Sequence, residues 1–133
     1  MLGLDPVARP SRYVLLVDRS HECREVLRTV LQRRGFSILE ASEPREGLAL
    51  ARRYHPLVVV VDLDSSDDDA DRQQLFAESQ STHSSLVTLG KLARSPAPSN
   101  GANSSNRCVA KPYHYAPLVR TIEQLVERAT AGS

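Results

Sequence analysis

Residues 57–64 read Leu57-Val58-Val59-Val60-Val61-Asp62-Leu63-Asp64, followed by Ser65, Ser66 and an acidic run of Asp67, Asp68, Asp69 and Asp71. Four β-branched residues in succession, bounded by polar turn residues, predict a strand buried on both faces, as in the middle of a parallel α/β sheet. Asp62 then falls at the carboxyl end of that strand. In open α/β sheets ligands gather in the crevice just outside those ends, so a carboxylate there is a functional candidate. A solubilising acid that caps a strand is the plainer reading, and the spacing of this stretch fits both. The acidic run reads as a solvated loop.

Upstream, Tyr13 to Val17 is a second apolar run, and it ends in a second carboxylate, Asp18. Ser20 is a good N-cap, Glu22 and Glu25 suit a first helical turn, and Cys23, Val26, Leu27, Val30 and Leu31 form one apolar stripe. Arg33 and Arg34 suit the last turn, and Gly35 ends the helix. Phe36 to Ala41 predicts a short strand, with Phe36 and Ile38 alternating with polar positions. Ser42 and Pro44 open a second helix through Leu48 and Ala51, and Pro56 introduces the valine strand. A strand, helix, strand, helix, strand order builds a parallel sheet through crossover connections.

Downstream the pattern loosens. Asp71 to Gln80 predicts a short polar helix around Leu75 and Phe76, and Leu86 to Leu89 a fourth strand ending at Gly90 and Lys91. Residues 95–106 are almost wholly Ser, Pro, Ala, Asn and Gly, which favours turns over a packed helix. Cys108 to Ala110 predicts a short strand before Lys111-Pro112. A final helix places Leu118, Val119, Ile122, Leu125, Val126 and Ala129 on one face. Residues 1–11, with Pro6 and Pro10, read as a flexible leader, 12–130 as one domain and 131–133 as a tail, with no output domain expected to follow.

A chain of 133 residues is long enough to bury one core without disulfides or metals. Its net charge of +1 offers neither a basic field for nucleic acid nor an acidic one for a cationic partner. Cys23 and Cys108 lack ligand spacing and read as small core residues in a reducing compartment. No targeting pattern or membrane-length apolar run is present, so the cytoplasm is the expected location, with no membrane partner.

The order Val14-Leu15-Leu16-Val17-Asp18, Val59-Val60-Val61-Asp62 and Val109-Ala110-Lys111-Pro112 resembles the receiver domain of two-component response regulators, over about residues 12–130. The separations, 44 residues from Asp18 to Asp62 and 49 from Asp62 to Lys111, are close to those of the family. The resemblance implies a flavodoxin-like (βα)5 three-layer sandwich around a five-stranded parallel sheet, its fourth helix here shortened or irregular. It further implies a signalling module rather than an enzyme. Asp62 would accept a phosphoryl group from a histidine kinase or phosphotransfer protein, and an unidentified downstream protein would read the result. Asp18, Asp62 and the backbone of Asp64 would hold Mg2+, and Lys111 would hold the phosphoryl oxygens. In-line attack by a carboxylate needs such cations to offset charge on donor and acceptor.

The departures from the family pattern bear on the site. Arg19 stands where a second acid is usual, Gly90 where Ser or Thr is usual, the long Lys91 where a small residue is usual, and Cys108 where an aromatic is usual. Asp18 and Asp62 facing Lys111 and Arg19 sum to zero charge, so Arg19 is expected either to pair with Asp62 and occupy the metal's electrostatic role or simply to point into solvent, and the Asp64 side chain is a second route to restoring the metal site. Two further readings stand beside the working phosphoacceptor. One is a pseudo-receiver that binds partners without phosphorylation. The other is a haloacid-dehalogenase-type phosphatase, in which Asp62 is the nucleophile and Asp64 the general acid and base.

Overall fold

The structure, a computed structural model, describes residues 13–62, 69–81, 83–90, 107–110 and 115–131. Its elements are β1 (Tyr13–Val17), α1 (His21–Arg33), β2 (Ser37–Ala41), α2 (Pro44–Tyr54), β3 (Val58–Asp62), α3 (Asp69–Ser81), β4 (Ser85–Gly90), β5 (Arg107–Ala110) and α4 (Tyr115–Ala131). The strands form one parallel sheet in the order β2-β1-β3-β4-β5. The fourth helix expected between β4 and β5, the leader 1–11 and most of the tail lie outside the described residues.

The valine run occupies the central strand, and all five residues of β3 are buried. Pleating divides them between two cores. Val58 and Val60 pack with Leu27 and Leu31 of α1 and with Leu118, Ile122 and Leu125 of α4. Val59 and Val61 pack with Leu48 and Ala51 of α2 and Leu75 of α3. Helices therefore cover both faces of the sheet, and a polar residue inside the run would have to be buried on one of them. Fully burying one such aliphatic side chain is worth roughly 1.5–3 kcal/mol.

Local chemistry sets the helix ends. Ser20 Oγ accepts the Cys23 N–H at 3.2 Å and caps α1. At the other end Gly35, at φ +91°, donates to Gln32 O at 3.0 Å, and Phe36 donates to Leu31 O at 3.2 Å. This pair of bonds is the Schellman closure, and its positive φ explains the glycine. Phe36 is thereby buried as the residue that closes the turn, and β2 begins at Ser37. α2 starts differently from expectation, because Glu43 occupies the cap position without a side-chain bond. Ser42 instead donates from N and Oγ to Glu46 Oε1 at 3.1 and 2.8 Å.

Two apolar stripes are narrower than expected. On α1 Val26 is 42 % exposed while Leu27 and Leu31 are buried, and on α4 Ala129 is exposed. In α3, longer than Asp71 to Gln80, the polar sequence leaves Leu75 as its fully buried apolar anchor. Ser79 donates to Leu75 O at 3.0 Å, and Ser84 Oγ donates to Pro56 O at 2.6 Å ahead of β4.

Candidate functional site: two buried aspartates at the carboxyl edge of the sheet

Val17 of β1 and Val61 of β3 are register partners, and each is followed directly by an aspartate. Asp18 is 5 % exposed and Asp62 is 6 % exposed. Both follow a valine of the α2/α3 core, so the pleat turns both carboxylates toward the α1/α4 side. At about one strand spacing, ~5 Å, and an effective dielectric near 20, two ionised carboxylates repel by roughly 3 kcal/mol. The fold thus brings two carboxylates together at this edge, and a bound cation would offset their mutual repulsion.

The backbone of Asp18 continues the sheet, its N–H donating to Ala41 O at 3.0 Å. Its Oδ1 accepts the Ser20 N–H at 2.9 Å, and Oδ2 is buried as well. Its carbonyl accepts a hydrogen bond from Arg24 Nη1. Arg24 also donates from Nε to Glu40 Oε1 at 3.2 Å, while Arg28 Nη1 holds the other carboxylate oxygen, Oε2, at 2.8 Å. Burial pushes the Glu40 carboxyl up, but the hydrogen bonds and charges of Arg28 and Arg24 outweigh it and hold the carboxyl below its usual value. The hydrogen bond and charge of Glu40 raise the Arg28 guanidinium in turn.

The remaining expected residues divide in two. Asp62 ends β3 and pairs with Leu89, Gly90 ends β4 and pairs with Ala110, Cys108 lies on β5 opposite Thr88, and Arg19 is exposed in the turn after β1. Asp64, Lys91 and Lys111 lie outside the described residues, although Ala110, the residue before Lys111, ends β5. Among the described residues no group of three or more His, Cys, Asp or Glu is placed to hold a metal. The two buried carboxylates supply oxygen ligands of the kind that hard divalent cations take, and they fit such an ion as part of its ligand set.

The sequence reading missed Arg24, Glu40 and Thr88. Glu40 shares the core-facing side of β2 with Ile38 by alternation, and a charge there requires a partner, which was the available signal. Thr88 is fully buried in β4, next to Val61 in register, one strand from Asp62 and two from Asp18.

No protein-family model matches the sequence, and no curated protein matches it. Solved structures do. A CheY-like response regulator receiver domain protein from Methanospirillum hungatei JF-1 superimposes with a TM-score of 0.74 at 16% identity, over 92% of this chain and 99% of that one. A two-component response regulator from Clostridium difficile gives 0.72 at 18%, over 90% and 98%. The chemotaxis protein CheY4 of Vibrio cholerae gives 0.67 at 21%, over 86% and 98%. The chain has the fold of a response-regulator receiver domain. Among the described residues no helix is long and apolar enough to cross a membrane.

Proposed function

We propose that the chain is a receiver module of two-component signalling in which Asp62 accepts a phosphoryl group from a histidine kinase or phosphotransfer protein. The observation that carries this reading is a buried carboxylate ending the central strand of a receiver fold, with a second buried carboxylate, Asp18, directly after Val17, the register partner of Val61. An Asp62 oxygen forms a bond to phosphorus as the bond from phosphorus to the donor's leaving atom breaks, giving an acyl phosphate. Asp18 and Asp62, with Asp64, would hold Mg2+, which would supply positive charge between the acceptor and the incoming phosphoryl oxygens. Lys111, the residue that follows the end of β5, would hold those oxygens. Gly90 removes a hydroxyl usual in the family, and its backbone N–H or Lys91 is the donor we assign in its place.

One observation favours a second reading, a pseudo-receiver that binds partners without phosphorylation: an exposed arginine occupies position 19, where a second acid is usual. The dehalogenase-type alternative is disfavoured, because its nucleophile motif opens the fold, whereas Asp62 closes the third strand. Intact-protein mass after incubation with acetyl phosphate, with and without Mg2+, tests the proposal. A gain of one phosphoryl group that is lost in Asp62→Asn is expected. No gain under conditions that label an ordinary receiver would overturn the phosphoacceptor reading in favour of the pseudo-receiver.

A further inference from the structure

We infer that Arg24 is a positioning residue of this site. Its guanidinium, oriented by Glu40, grips the carbonyl of Asp18 and fixes the turn that carries the Asp18 carboxylate to the end of β3. For its functional consequence this inference rests on the phosphoacceptor reading.

Three hydrogen bonds to Asp18 come from three places. Its N–H is bound by Ala41 at the end of β2, its Oδ1 by the N–H of Ser20 in the following turn, and its carbonyl by Arg24 on α1. Of these three, the Arg24 bond is the one in which the group holding Asp18 is a side chain. That side chain is 13 % exposed and is itself fixed, because its Nε is committed to Glu40 Oε1 at 3.2 Å. Glu40 cannot turn away, since its second oxygen is held by Arg28 at 2.8 Å. Arg24 is also tied through its backbone, donating from N to Ser20 O at 3.1 Å in the first turn of α1. A planar guanidinium donates in two directions from one rigid group, to a carbonyl and a carboxylate at once, and an ammonium on a flexible stem does not reproduce that geometry.

The consequence follows from the chemistry of phosphoryl transfer, which depends on positioning and electrostatics more than on covalent help from the protein. A carboxylate that holds a cation beside the acceptor must keep its place to within a fraction of an ångström, and groups that orient such ligands commonly change affinity or activity by about 10–100-fold when removed. Glu40 and Arg28 thus reach the site through Arg24, and none of the three touches the phosphoryl group.

Arg28→Gln is the informative control, because it breaks a guanidinium bond to the same Glu40 without touching Asp18. We would compare Arg24→Gln, Arg24→Lys, Glu40→Gln and Arg28→Gln by amide hydrogen exchange over residues 18–23 and by the rate of phosphoryl gain from acetyl phosphate with Mg2+. Arg24→Gln and Arg28→Gln are expected to lower thermal stability to a similar extent. Arg24→Gln should speed exchange at Asp18 and Ser20 and slow labelling by about tenfold or more, whereas Arg28→Gln, which acts only through Glu40, should change both least. Lysine should not restore either, and Glu40→Gln should shift both in the same direction by less, which keeps the test open if Arg24→Gln fails to fold. Exchange and labelling in Arg24→Gln equal to those of Arg28→Gln would overturn the inference. An unlabelled wild type would instead defeat the phosphoacceptor reading, and the exchange comparison would still decide whether Arg24 holds the turn.

Discussion

Asp18 and Asp62 lie 44 residues apart in the chain, yet each directly follows one member of the register pair Val17 and Val61. Both are buried, so whatever charge they carry is felt by the other through protein rather than through water.

Their coupling is measurable as a double-mutant cycle. If both are ionised at neutral pH, Asp18→Asn and Asp62→Asn each remove the whole mutual repulsion, and the double variant gains less than the sum of the two. The expected interaction energy is about 1–3 kcal/mol without added divalent cation, from urea unfolding. Additive effects would place the two charges out of each other's reach.

Glu40 gives a pH dependence with a definite sign. Its folded-state pKa is lowered, so its contribution is fully present above the unfolded value, about 4.3, and is lost as pH falls through the lower folded value. Glu40→Gln should cost about 1–2 kcal/mol at pH 7, through loss of charge-assisted bonds to two arginines. The gap to wild type should close as pH drops below 4, measured by chemical unfolding at each pH.

Gly47 lies where α2 crosses β1. A Cβ built there would stand 2.7 Å from Val17 Cγ2. Gly47→Ala should therefore destabilise by about 1–2 kcal/mol, although alanine is the better helix former by about 1 kcal/mol. The same substitution in a Val17→Ala background should lose that penalty. A stabilised single variant would show that β1 and α2 can move apart at this crossing.

Leu75 is the fully buried anchor of an otherwise polar α3. Leu75→Ala should cost about 2–5 kcal/mol. Hydrogen exchange should rise first across residues 69–81, while the β3 amides stay protected. Uniform loss of protection would mean that α3 unfolds only with the whole domain.

Much of this architecture was legible because backbone chemistry wrote it locally. The valine run admitted no exposed face, Ser20 and Gly35 marked the ends of α1, and acids at the ends of two strands predicted where the sheet would place them. The rest depended on partners distant in sequence. Nothing near Glu40 identifies Arg24 and Arg28 as its partners, because their meeting depends on how α1 lies over β2. Val26 read as core because the sequence gives the period of a stripe and not its width, which is set by how α1 and α4 divide one face of the sheet. Ser42 read as a cap because of its residue type, but its hydroxyl bonds Glu46 while Glu43 takes the cap position.

The sheet order has one more consequence. Because β2 lies outside β1, the chain must leave β1, lay down an edge strand and cross back before β3 can bring Asp62 beside Asp18. Neither a nascent chain that stops at β2 nor an unfolded one contains the pair. Any ion or group that requires both acids therefore binds only a chain in which β3 has paired with β1, and by linkage it stabilises the folded state by about 2.7 kcal/mol at a hundred times its dissociation constant. Occupancy of the pair would thus be readable as a rise in melting temperature, without any assay of signalling.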